Sequence, residues 1–131
     1  MANLDFHIVK RLREQIAQGG NRTALKHKVN DVWQGISWQQ FGEQIDKLSL
    51  ALLAQGLRIQ DKIGIYSNNM PQWTVADFAA LQARLVTVPI YPTNTAAQSS
   101  YIFKTQTLKC FLLASSHSLM QQSAYLTSVN S

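Results

Sequence analysis

The 131-residue chain predicts an α/β fold: a partial doubly wound, mainly parallel sheet with flanking helices and an N-terminal β-hairpin. Three observations lead there. From Lys62 to Thr95 an apolar run, a polar turn, an alanine-rich stretch and a second apolar run closed by prolines follow in the order of a βαβ unit. A further apolar run, Leu108 to Ala114, repeats the step. Ahead of the unit, two alternating runs flank Asn30-Asp31. A parallel sheet needs helices on both faces, so one unit alone leaves apolar surface for other chain to cover.

Phe6, Val9, Leu12 and Ile16 recur at spacings of three and four, which predicts a helix from Phe6 to Gln18 ending at Gly19-Gly20. The helix is amphipathic and basic, so it is the candidate for a peripheral membrane contact; packing on its own domain is the simpler role. Leu25 to Val29 and Val32 to Ser37 read as a hairpin, because Asn and Asp tolerate the positive φ of a tight turn. Ser37 with Gln40 has the spacing of a capping box and predicts a helix start. Trp38, Phe41, Ile45, Leu48 and Leu52 then form an apolar stripe that Gly56 ends. Burying one such side chain is worth roughly 1.5 to 3 kcal/mol against about 1 for the cap, so packing holds this helix.

Lys62 to Tyr66 is the first buried strand, and Ser67-Asn68-Asn69 the turn after it. Pro71 suits the first turn of a helix, with Asn68 or Asn69 as its cap, and the helix runs to about Arg84. Ala76, Ala79, Ala80 and Ala83 keep it thin. Leu85 to Ile90 is a second parallel strand, ended by Pro89 and Pro92 and reached by a right-handed crossover. Thr95 caps another helix to about Lys104, and Leu108 to Ala114 adds a strand.

Twelve Lys and Arg against seven Asp and Glu give a net charge of +5. Lys10, Arg11 and Arg13 share the first helix, Lys26 and Lys28 the hairpin, and the rest are scattered without interleaved aromatics. This predicts a solvated surface and no nucleic-acid partner. Residues 78 to 131 contain no acid. Cys110 is alone in an apolar run, which excludes an internal disulfide and suits a reducing compartment. The N-terminus has no signal-like apolar core, so the expected location is cytoplasmic, with a peripheral place on the inner face of the membrane the variant. Prolines in one uncharged stretch, Leu85 to Phe103, and Ser and Gln in the other, Cys110 to Ser131, argue against a membrane span.

Asp61-Lys62-Ile63-Gly64-Ile65, Asn69 with Trp73, Ala76 with Ala79, and Val88-Pro89-Ile90-Tyr91-Pro92-Thr93 resemble the opening of the adenylate-forming acyl-CoA synthetases, nearest the long-chain fatty acid CoA ligases. The resemblance starts near Thr23 and fades after about Ala114. It implies that residues 1–114 are the N-terminal part of an AMP-binding domain and 115–131 a Ser- and Gln-rich uncharged tail. The tail breaks the family pattern, so truncation or a frame shift after about Gln98 is expected, with a disordered tail as the alternative. For the full-length family the resemblance implies fatty acid, ATP, magnesium and coenzyme A. For this chain it implies no cofactor.

Adenylate formation must stabilise crowded phosphate charge with backbone amides, cations and magnesium. Gly19, Gly20, Gly35, Gly42, Gly56 and Gly64 fit neither the G-x-G-x-x-G nor the G-x-x-x-x-G-K-[ST] pattern, and the phosphate loop and catalytic lysine that the family uses are missing from the sequence. No catalytic or cofactor-binding residue is therefore assigned. The nearest candidate for a ligand-facing loop is Thr93-Asn94-Thr95, at the carboxyl end of a strand, with a turn and helix cap as the structural alternative. His7, His27 and His117 have no zinc-ligand spacing, so no metal is expected. Ser115 and Ser116 beside His117 lack an orienting acid. Arg84 stands where many family members have Gly, which puts a left-handed helix end in question. Two functions remain: the catalytically silent N-terminal piece of a long-chain fatty acid CoA ligase, or a stand-alone α/β module that binds a protein partner or membrane surface.

Overall fold

The computed structural model describes residues 7–114 and 125–127. In chain order come α1 (Ile8–Gly19), β1 (Thr23–Val29), β2 (Val32–Ser37), α2 (Trp38–Ala54), β3 (Lys62–Ser67), α3 (Pro71–Gln82), β4 (Val86–Ile90), α4 (Ala96–Gln106), β5 (Cys110–Ala114) and β6 (Tyr125–Thr127). β1 and β2 form the hairpin. The larger sheet has the order β4-β3-β5-β6, with β3 parallel to both neighbours and β6 antiparallel at the far edge. From β3 the chain goes to one side for β4 and crosses to the other for β5, which begins a doubly wound sheet. Phe6 and the tail, apart from β6, lie outside the described residues, as do Ser115, Ser116 and His117.

The hairpin turns at Asn30 and Asp31 with φ of 49° and 63°. β1 starts two residues earlier than its alternation indicates, because a bulge between Thr23 and Leu25 lets Thr23 pair with Ser37. Ser37 caps α2 through the full reciprocal box with Gln40. Phe41, Ile45 and Leu52 of the apolar stripe are buried, and Phe41 meets the edge of Phe78 at 6.1 Å. Ser49, which the stripe skips, is buried too, and its hydroxyl donates to the Ala79 carbonyl at 2.8 Å. A buried hydroxyl requires such a partner.

α3 lies thin between α2 and the sheet, with Ala76, Ala79, Ala80 and Ala83 all buried. Ile63, Ile65, Cys110 and Leu112 of the sheet join its core. Leu12 of α1 belongs to the same core, with Ile16 packed on it, so these two residues of the apolar face offered to a membrane are taken up inside the fold. Arg13 extends the join: its guanidinium donates to Asp46 at 2.9 Å, and Gln82 donates to the same carboxylate at 2.9 Å, tying α1, α2 and α3 together. The opposite sheet face carries Gly64 beside Leu108, Phe111 and Ile90, and Phe103 of α4 stands edge-on to Phe111 at 4.9 Å.

Three local expectations change. Pro89 does not end its strand; it sits within β4, paired with Ile65. β4 is an edge strand, where a missing N–H is tolerated. Neither Asn68 nor Asn69 caps α3. Met70 holds the cap position with φ −151° and ψ 162°, extended as a residue before proline is, and makes no side-chain cap bond because its thioether offers no oxygen acceptor. Arg84 keeps the left-handed geometry expected of glycine, with φ 61°, at a cost of roughly 1 to 2 kcal/mol.

A Cβ on Gly64 would lie 2.9 Å from both Leu108 Cδ1 and Phe111 Cδ2. Gly64→Val is therefore expected to lower unfolding free energy by about 1 to 3 kcal/mol in urea titrations. Burial pushes the Cys110 thiol up, against a smaller downward pull from its backbone hydrogen bond with Phe111. Its raised folded value leaves stability intact below the unfolded thiol value of about 8.5, and stability falls as pH rises through the folded value. Urea titrations between about pH 8.5 and the folded thiol value are expected to show a steeper alkaline loss for the natural chain than for Cys110→Ala.

Candidate functional site

The carboxyl ends of β3 and β4 lie side by side, since Tyr66 pairs with Ile90. Parallel sheets commonly bind ligands at this end. After β3 come Ser67, buried, and Asn68 and Asn69, exposed. The Ser67 hydroxyl donates to the Asn68 carbonyl at 2.8 Å and so closes its own turn. After β4 come Tyr91, Pro92 and the Thr93-Asn94-Thr95 cluster, and the Tyr66 hydroxyl donates to the Pro92 carbonyl at 3.4 Å.

Within that cluster the Asn94 N–H donates to the Tyr91 carbonyl at 3.0 Å, forming a turn. The Thr95 hydroxyl accepts from the Gln98 N–H at 3.2 Å, while the Thr95 N–H donates to Gln98 Oε1 at 2.8 Å. Thr95 thus spends its side chain on a capping box for α4. Only Thr93 and the half-buried Asn94 have side chains with no recorded hydrogen bond here. Sequence reasoning missed Gln98 as the reciprocal partner, although T-x-x-Q is the same signal that located Ser37 with Gln40. It also missed the Tyr66–Pro92 tie, which depends on strand order and has no local signal.

The side chains gathered at this end are hydroxyls, amides and a tyrosine. Lys and Arg do not occur among Ser67–Gln72 or Tyr91–Gln98, and no group of His, Cys, Asp or Glu suited to a metal ion occurs among the described residues. His7 is exposed on the way into α1, and His27 sits in β1, away from this loop in the topology. Hydroxyls and amides can orient a neutral or singly charged group by hydrogen bonds. They do not fit a magnesium-bound triphosphate, whose charge needs cations and a cradle of free backbone amides.

Comparison with known proteins agrees with this architecture. The sequence model of the AMP-binding enzyme family matches residues 12–130. The chain is 30% identical over 93 residues to the long-chain-fatty-acid–CoA ligase FadD15 of Mycobacterium bovis, covering 70% of this chain and 16% of that protein. It is 32% identical over 76 residues to the long-chain-fatty-acid–CoA ligase heimdall of Drosophila melanogaster, covering 58% of this chain and 11% of that one. The solved fatty acyl-adenylate ligase of Legionella pneumophila, in complex with acyl adenylate and pyrophosphate, superposes with a TM-score of 0.76 at 17% identity, covering 83% of this chain and 20% of that structure. The chain therefore spans a small fraction of the length of the relatives it matches.

If Thr95 serves the helix rather than a ligand, Thr95→Ala costs about 1 kcal/mol of local stability. Amide exchange is expected to accelerate in the first turn of α4 and stay unchanged in β3.

Proposed function

This chain belongs to the AMP-binding enzyme family, and from that premise we propose that it is the amino-terminal scaffold of a long-chain fatty acid CoA ligase. In this reading it builds part of the sheet and pocket wall of an enzyme that activates a fatty acid to acyl-AMP and then to acyl-CoA. Other chain supplies the machinery for ATP, magnesium and coenzyme A. The observation that carries it is the pairing of a family-wide match over residues 12–130 with a strand-end site of hydroxyls and amides alone. By itself the chain is catalytically silent. Its working place is the cytoplasm.

The stand-alone interaction module is the second reading, and the continuous buried core from Leu12 to Leu112 favours it, because such a core supports independent folding. One set of measurements on the purified chain separates the readings. The scaffold reading expects no fatty-acid-dependent exchange of pyrophosphate into ATP, together with self-association on size exclusion. A monodisperse chain with one cooperative thermal transition supports the module. Exchange above background overturns the claim that the chain is silent.

A further inference from the structure

The fold gathers cations that look scattered in sequence. The connector before β3 carries Arg58, β3 begins at Lys62, Arg84 precedes β4, Lys104 lies in the last turn of α4, and Lys109 immediately precedes β5. Every one of these places is at the amino-terminal end of the parallel strands, opposite the Thr93–Thr95 loop. Backbone bonds hold them close: Lys109 N–H donates to the Lys62 carbonyl at 2.8 Å, and Gln60 N–H to the Arg84 carbonyl at 2.9 Å. Lys62 is half-buried and the other four are exposed.

Two acids lie near: Asp61, whose carboxylate accepts from the Arg58 N–H at 2.8 Å, and the half-buried Asp77, whose carboxylate accepts from the Thr87 hydroxyl near the start of β4 at 2.8 Å. Ion pairs among the described residues join Arg11 to Glu14, Arg13 to Asp46 and Lys28 to Asp31, and none reaches this end of the sheet. The sequence beyond residue 77 has no acid to offer, the tail included. Lys62 and Lys109 therefore stand at neighbouring strand starts with like charge, an arrangement that repels unless an outside anion lies across it. Five cations against two carboxylates leave three positive charges of the chain's net +5 at this end.

Exposed apolar side chains at the same end are aliphatic. Ile59, 56% exposed, lies between Arg58 and Lys62, and Leu53, 48% exposed, is in the last turn of α2. The exposed aromatics Trp33, Tyr91 and Tyr101 belong to the hairpin, the opposite strand end and the middle of α4. Single-stranded nucleic acid is gripped by aromatic stacking as well as charge, whereas an anionic bilayer takes Lys and Arg at its headgroups and aliphatic side chains just beneath. We propose that the amino-terminal end of the sheet, formed by Arg58, Ile59, Lys62, Arg84, Lys104 and Lys109, is a docking surface for an anionic lipid bilayer. The proposal stands apart from the ligase reading and replaces α1 as the membrane-facing element, since α1 places Leu12 in the core.

The test is co-sedimentation of the full 131-residue chain with phosphatidylcholine vesicles, with and without phosphatidylglycerol. Binding is expected only to the anionic vesicles and is expected to weaken as salt rises. Lys62→Gln with Lys109→Gln is expected to lower partitioning about thirty-fold, while Lys10→Gln with Arg11→Gln on α1 leaves it unchanged. The strand pair is also expected to melt no lower than the natural chain, because a repulsion is removed, so its lost binding reports the surface rather than unfolding. Equal binding to neutral vesicles, loss of binding through the α1 pair, or displacement by micromolar inorganic tripolyphosphate overturns the proposal. The last outcome assigns the cations to a soluble phosphate compound.

Discussion

The close seat of α3 between α2 and the sheet is the contact on which the remaining architecture rests. Strands of a parallel sheet are apolar on both faces, and β3 at the centre has Ile63 and Ile65 pointing at α3. Four buried alanines bring the helix near enough to cover them, and the Ser49 hydroxyl fixes its height by holding the Ala79 carbonyl. α1 reaches the sheet only by way of these two helices, through Leu12 and the Arg13–Asp46–Gln82 group. The ion pair within that group is half-exposed and adds little by itself. Its value is in orienting three helices that apolar contact already holds.

The two faces and the two ends of the sheet are unlike. One face is sealed by α3, while the other is covered by α4, none of whose residues is fully buried. One end offers neutral hydrogen-bonding groups in turns already closed by their own bonds; the other concentrates positive charge. A ligase of this family must grip polyphosphate, and the neutral end of this sheet has no charge with which to do so.

Local physics was legible in the sequence, and long-range geometry was not. Asn30-Asp31, Ser37 with Gln40, and the stripe from Trp38 to Leu52 each depend on neighbours within a few residues, and each forms where its pattern indicates. The position of Pro89 inside a strand depends on β4 being at an edge, which only the strand order reveals. The burial of Ser49 depends on a carbonyl thirty residues away. The cations read as dispersed because Arg58, Arg84 and Lys109 are far apart along the chain, and become neighbours only when parallel strands align their starts. In the candidate loop, Thr93 to Thr95 follows the end of β4, and the capping alternative describes what Thr95 does.

Pro89 has a bearing on how a short sheet survives with one side open. Among the described residues β4 has no strand beyond it, so its outer backbone groups face away from the described sheet. A ring in place of an N–H interrupts the donor row that an incoming copy would need for zipping along this border, and the bend it favours discourages a flat approach. Pro89 thus disfavours pairing of a second copy along β4, and stacking of copies is favoured elsewhere on the surface.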